Sequence, residues 1–320
     1  MKPFARVGEG GLLAFLFIRC TIIPFRFLSA TSHQLSDIYR RTMPTLLITQ
    51  IAAGLAISSL IAWLAYRRAA LASSGAAGAI LTGTIIFGFG GLDWGLILIV
   101  FFVSSSLLTH YKQAAKIKVA DQFAKGGPRD LWQALANGGL AALIALGFGL
   151  TGRTHWLLLF AFVGAMAEAN ADTWATELGV LSLKAPRMIT TGKPVAPGTS
   201  GGVTWDGTGA ALAGALLIGG LAMLFNWTGK MSLNVAVMLM PAGALAGVIG
   251  SLVDSLLGAT VQGIYYCDTC DKETERELHR CGNRTRLVRG WRPLNNDWVN
   301  WIGTLAGALV ATGLGLLLLR

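Results

Sequence analysis

Between Glu168 and Thr204 the chain sets three carboxylates, Glu168, Asp172 and Glu177, ahead of a basic, glycine-rich run: EANADTWATELGVLSLKAPRMITTGKPVAPGTSGGVT. The acids stand near the end of a lipid-length apolar segment. Charge is expensive there, so its presence points to chemistry. On a helix Glu168, Asp172 and Thr176 share one stripe at i, i+4 and i+8, with Thr173 and Glu177 on a neighbouring stripe. A second acidic helix end, GSLVDSLLGATVQ, carries Asp254 followed by Ser255, an echo of Asp172 followed by Thr173. Two such pairs on separate helices suit a single Mg²⁺, which takes hard oxygen ligands from one or two carboxylates, phosphate and water. Asp172, Asp254 and Glu177 are therefore the candidate Mg²⁺ ligands. The plainer reading is helix-packing hydrogen bonds and interfacial charge.

The stretch TTGKPVAPGTSGGVT puts Lys193 and two prolines ahead of Gly198, Thr199, Ser200, Gly201 and Gly202. Glycines let backbone N–H groups converge on an anion, and hydroxyls and a lysine add donors. The order is not that of a P-loop. With Arg187 and Lys193 beside it, the run is a candidate phosphate cradle. Lys125 and Arg129 in KGGPRD are candidates for a second phosphate, or else residues of a solvated loop that sets topology. Asn137, and Asn295 with Asn296 in PLNNDWVN, add polar groups at helix starts. Cys267, Cys270, His279 and Cys281 read C-x₂-C-x₈-H-x-C, a spacing that can close a structural zinc site or leave free thiols. A disulfide is disfavoured if that loop faces a reducing cytosol.

The elements that must carry these residues are membrane helices. The chain has 320 residues, 53% of them hydrophobic and 13% charged, with 41 glycines and a mean hydropathy of +0.58. Apolar segments of about 20 residues cross a bilayer as helices, and they fall at roughly 44–65, 74–92, 94–110, 134–151, 156–178, 207–226, 233–260 and 299–319. Frequent glycine and alanine suits close helix packing in lipid. The expected fold is all-α: a polytopic transmembrane bundle of about eight spans in one domain, 44–320. Residues 1–43 are set apart. Within them 11–28 is apolar but interrupted by Arg19, Pro24 and Arg26, and reads as a ninth span or an interfacial helix rather than a signal peptide.

The net charge of +10 is not a nucleic-acid footprint, because the cations sit in loops. Alternating the spans gathers loops 111–133, 180–206 and 264–298 on one side. Positive-inside bias makes that side cytoplasmic, in the inner membrane if the source is bacterial. Every polar constellation above falls at this same end. A site for a cytosolic soluble substrate requires that convergence, whereas a transport path would place polar groups at mid-membrane or on the far side.

The ADTWATELG helix end, the PRMITTGKPVAPGTSGGVT loop, VDSLLGATVQ and NNDWVN together resemble the integral-membrane family formerly called domain of unknown function 92. That family includes eukaryotic transmembrane protein 19 and the plant phytyl-phosphate kinase. The likeness covers about residues 45–320. It implies functional roles for Asp172, Glu177, Lys193, Thr199, Ser200, Gly201, Asp254, Asn295 and Asn296. It also implies phosphorylation of an isoprenoid monophosphate to its diphosphate, with CTP as donor; ATP stays open as the alternative donor, and Mg²⁺ is the cofactor expected from the acidic helix ends. The bilayer and the isoprenoid phosphate are the implied partners, with no nucleic acid. A transporter or flippase of a phosphorylated solute, a scaffold, and a cytidylyltransferase on a lipid phosphate are the competing readings. Nucleotide, prenyl length and oligomeric state are not set by the sequence.

Overall fold

The computed structural model describes residues 32–116, 127–227 and 232–318, with side chains from residue 47 onward. The segment 11–28 and Lys125 lie outside the described residues. The chain divides into two units, Met1–Leu46 and Leu47–Arg320; in the first, only helix over residues 32–46 is described.

Nine helices are found among the described residues: α1 (Ser32–Arg67), α2 (Ser73–Ile85), α3 (Leu92–His110), the short α4 (Gln113–Lys116), α5 (Leu131–Leu150), α6 (Trp156–Gly179), α7 (Trp205–Trp227), α8 (Leu233–Thr260) and α9 (Asn296–Leu318). Seven segments are long and apolar enough to cross a membrane: the Leu47–Arg67 part of α1, then α2 with the π turn Ile86–Gly90 that continues it, α3, α5, α7, α8 and α9. The remaining expected span is α6. Its second half carries Glu168, Asn170 and Asp172, and it tolerates them because protein rather than lipid surrounds it. Every residue from Leu159 to Ala171 except Ala161 is buried, and α7, α8 and α9 pack around it. A helix buried on all sides needs no lipid-facing stripe.

Small residues set these packing distances. A Cβ on Gly164 of α6 would lie 2.3 Å from the Gly307 carbonyl oxygen of α9, and one on Gly307 would lie 2.6 Å from the Gly164 carbonyl oxygen. On the opposite flank Asn170 donates to the Gly214 carbonyl of α7 at 2.8 Å and accepts from Ser104 of α3 at 3.2 Å. At one end of the bundle Arg153, in the α5–α6 turn, donates to the carbonyls of Gly88 and Phe89 at 3.0 and 3.1 Å. It thereby satisfies oxygens that a π turn leaves out of the helical ladder.

The connections at the other end are more ordered than loops. Strands β1 (Arg187–Met188) and β2 (Gly202–Val203) pair antiparallel. The connection 261–295 carries a three-stranded antiparallel sheet, β4-β3-β5, made of β3 (Ile264–Cys267), β4 (Lys272–Thr274) and β5 (Arg286–Arg289). The expected all-α architecture holds for the bundle, and this small sheet is an addition to it. Its strands are three or four residues long, too short for a period-two pattern to stand out in a charged stretch.

Candidate functional site

A cavity of about 750 Å³ opens at the end of the bundle where α6 and α8 finish and α5, α7 and α9 begin. Each element arrives with a fixed polarity. The α5 start is fastened by a capping box between Asp130 and Gln133, the α7 start by Thr204, whose hydroxyl accepts from Gly207 N at 2.9 Å, and the α9 start by Asn295, which accepts from Trp298 N at 3.2 Å. Three helix N-termini thus face one cavity, and N-termini favour anions.

The carboxylates come from the two helices that end there. Asp172 and Asp254 both line the cavity. Ser251 hydrogen-bonds Asp172. Asn300 of α9, with its amide nitrogen turned toward the acceptors, donates to Asp254 Oδ2 at 3.0 Å. Glu168 lies one turn deeper, 1% exposed, and its Oε1 has no hydrogen-bond partner. Glycines make its space: a Cβ on Gly250 would lie 2.4 Å from Glu168 Cγ, and one on Gly303 would lie 2.5 Å from Oε1. Glu168, Asp172 and Asp254 are close enough to repel one another. Enclosed charges are normally paired or bind metal, and among the described residues no side-chain cation forms an ion pair with these three. Their all-oxygen donor set and the unpartnered Oε1 fit a hard divalent cation such as Mg²⁺.

Glu177 stands apart from this trio. Its Oε2 forms an ion pair with Lys116 Nζ at 2.6 Å, its Oε1 accepts from Thr109 at 2.6 Å, and Lys116 also donates to the Leu108 carbonyl at 2.6 Å. The expected third metal ligand is therefore held by a lysine from α4. Nearby Arg129 lies with its guanidinium 6.0 Å from the Phe102 ring. Its backbone is fixed by hydrogen bonds with Ala70 and Ala72. Burial pulls its pKa down, and the charge of Glu177 opposes that.

The glycine run forms the opposite wall, with Gly198, Thr199, Ser200, Gly201 and Gly202 all lining the cavity. Gly201 has φ +83°, and a Cβ there would lie 2.5 Å from the Ala259 Cβ, so the loop lies flush on the end of α8. Ser200 donates to Gln262 Oε1 at 2.9 Å, Gln262 donates to Glu275 at 2.9 Å, and Arg289 donates to the Ala259 carbonyl at 2.6 Å.

The structure also separates the expected cations. Arg187 and Lys193 are exposed on the β1–β2 hairpin and do not line the cavity. Arg187 instead donates to the Gly192 carbonyl at 2.8 Å, because the hairpin reverses the chain between Met188 and Lys193. Among the described residues, the lysines and arginines lining the cavity are Arg68, Lys116, Arg129 and Arg280. Asn137 and Asn296 line it, while Asn295 is the helix cap. Glu168, Ser251, Asn300, Lys116 and Arg280 were not singled out from sequence as ligands. For Glu168 the signal existed, since it sits i−4 from Asp172. For Lys116 and Arg280 it did not, because loop cations are indistinguishable from topology signals.

Cys267, Cys270, His279 and Cys281 form a second cluster, in the connection between α8 and α9, with ligand atoms all within 4.8 Å of one another. The three thiols are free. The contact with His279 pulls Cys281 down to about 6, while the hydrogen bond with Cys281 pushes Cys270 up to about 11.

No solved structure matches the chain. Protein PGR of Arabidopsis thaliana is 38% identical over 265 residues, spanning 78% of this chain and 90% of the relative. An uncharacterized membrane protein of Methanocaldococcus jannaschii is 30% identical over 84% of this chain and 95% of its own. Protein VTE6, chloroplastic, of Arabidopsis thaliana is 30% identical over 75% of this chain and 64% of its own. The chain matches the family described as "Integral membrane protein DUF92" over residues 56–308, and with its apolar helices it is a multi-pass integral membrane protein belonging to that family.

Proposed function

We propose that the protein is a membrane-embedded prenyl-phosphate kinase. It would transfer the γ-phosphoryl group of a nucleoside triphosphate to an isoprenoid monophosphate of phytyl or geranylgeranyl type. The observation that carries this reading is the meeting, at one cavity, of the half-buried carboxylates Asp172 and Asp254, with buried Glu168 beneath them, and a glycine-rich wall, three helix N-termini and, among the described residues, four cations. Family resemblance supports the isoprenoid acceptor and CTP as donor, and the membership of plant proteins including a chloroplastic one is in keeping with a role in prenyl lipid metabolism.

Phosphoryl transfer needs positioning and charge neutralisation more than a nucleophilic side chain. Asp172 and Asp254 would hold Mg²⁺, with Glu168 beneath them adding negative charge. When bound, the ion neutralises phosphate oxygens and lines up donor and acceptor. In the Gly198–Gly202 wall the N–H groups of Thr199 and Gly202 close the loop's own turns on the Ala196 and Thr199 carbonyls. Those of Gly198, Ser200 and Gly201, with the α5 and α7 starts, would receive phosphate oxygens, and Arg129, Arg68 and Arg280 would balance their charge. Glu177 holds Lys116 at the rim. An oxygen of the acceptor's monophosphate attacks the γ-phosphorus and the bond to the β-phosphate oxygen breaks. The bonding pair leaves on the nucleoside diphosphate. The attacking group is already an anion, so no general base is required. Val248 and Leu252 on α8 and Ala211 on α7 give the cavity an apolar side, and Leu252 is itself exposed. The prenyl chain would leave toward lipid past these residues.

The test is incubation of purified protein in lipid with CTP or ATP and a panel of prenyl monophosphates, with products read by mass spectrometry. Prenyl diphosphate plus nucleoside diphosphate supports the reading. Cytidylyl-lipid plus pyrophosphate would reassign the site to nucleotidyl transfer. No product from any pair, with active relatives as controls, would sink the kinase.

A further inference from the structure

The connection between α8 and α9 is too small to hold its shape through an apolar core. Its three strands have four, three and four residues, and most of its side chains are exposed or half-buried. Yet it carries part of the cavity wall. Arg280 and Glu275 line the cavity. Glu275 accepts from Gln262, which in turn receives the Ser200 hydroxyl. Arg289 of β5 ties the same connection to the Ala259 and Ser200 carbonyls.

What sits between the strands is the sulfur and nitrogen cluster. Cys267 ends β3, Cys270 lies in the turn before β4, and His279 and Cys281 precede β5. Cys267 Sγ lies 3.6 Å from Cys281 Sγ, and His279 Nδ1 lies 3.2 Å from the same sulfur. A disulfide requires about 2.05 Å between sulfurs. Tetrahedral zinc with Zn–S bonds of about 2.3 Å separates its ligands by about 3.5–3.8 Å. Three sulfurs and one imidazole nitrogen complete a Cys₃His set, and Cys267 and His279 are buried.

We propose that Cys267, Cys270, His279 and Cys281 bind one structural zinc ion, and that this clamp holds the β3–β5 connection so that Arg280, placed between two of the ligands, reaches the cavity. Loading converts the three thiols to thiolates, releasing their protons to solvent, while neutral His279 binds through Nδ1. Closed four-ligand sites of this kind supply folding free energy rather than catalysis.

The full chain, purified in detergent without chelator, should contain about one zinc per chain by elemental analysis. Cys270→Ser and Cys281→Ser should each lose it. Should those variants fail to fold, the wild-type protein carries the test. A mercurial reagent should release zinc to a colorimetric dye, and trypsin should then cut at Arg280, Arg284 and Arg286, which resist cleavage in the loaded protein. Zinc far below stoichiometry, iron in its place, undiminished zinc in both variants, or tryptic cleavage indifferent to metal would overturn the proposal. None of these readouts involves phosphoryl transfer, so the clamp stands or falls apart from the kinase reading.

Discussion

The Glu168 carboxylate rests directly on Gly303: a Cβ at that position would come within 2.5 Å of Oε1. An α6 acid and an α9 glycine thus fit each other across the deepest part of the site, with Gly250 of α8 closing the third side. Gly303→Ala should displace the acid and cut turnover by at least about tenfold, because a misplaced group near the chemistry is costly. Zinc content and membrane insertion should not change. Full activity in Gly303→Ala would show that the position of Glu168 is irrelevant.

Glu168→Gln keeps the shape and removes a buried carboxyl that, among the described residues, faces no side-chain cation. Thermal stability of the metal-free protein should hold or rise, since mutual repulsion among the three acids is relieved, while turnover falls. A loss of stability with unchanged turnover would mean that Glu168 is structural only.

Asp172→Asn and Asp254→Asn should each reduce phosphoryl transfer by about 100-fold or more, the scale of losing a group that stabilises transition-state charge. Melting temperature should be kept. Magnesium titration of the wild type should show saturable activation that both variants lack. Near-normal rates in both would remove the metal assignment.

The two lysines distinguish the hairpin from the cavity. Lys193 is exposed outside the cavity, whereas Lys116 is 11% exposed and paired with Glu177. Lys193→Ala should alter kcat/KM by less than about threefold. Lys116→Ala leaves a mostly enclosed carboxylate unpaired and should cost up to about 3 kcal/mol, and Lys116→Ala with Glu177→Gln should recover much of it. A larger kinetic loss from Lys193→Ala than from Lys116→Ala would place the anion on the hairpin instead.

Glu277 provides the pH dependence. Hydrogen bonds from Arg292 and Tyr265 pull its pKa from 4.5 down to about 2. A depressed carboxylate contributes its stability above the unfolded value, and that contribution is lost as pH falls from about 4.5 toward 2. Tryptic-type cleavage is unsuited to such acid, so protection should be followed by pepsin digestion. Cleavage within 264–295 should rise over that window in the wild type, and Glu277→Gln should already be cleaved at pH 5. Equal protection in the two proteins at pH 5 would remove the role of this pair.

The bundle was legible in the sequence because lipid imposes a length and an apolar composition on any span, and glycine and alanine mark where helices touch. The clustering of chemistry at one end was legible too, since helix parity alone carries Asp172, Asp254, the glycine run and the α9 start to the same side. What the sequence could not assign was the partner of each charge. Lys116 and Lys193 are both loop lysines, and only the reversal of the β1–β2 hairpin turns one outward while α4 carries the other to Glu177. Glu168 gained its significance from Gly250 and Gly303, residues 82 and 135 positions away, which no periodicity connects to it. Local spacing and solvent preference operate along a few turns of chain and so can be read from order alone. Enclosure and charge pairing depend on which distant helices share a wall, and packing decided that.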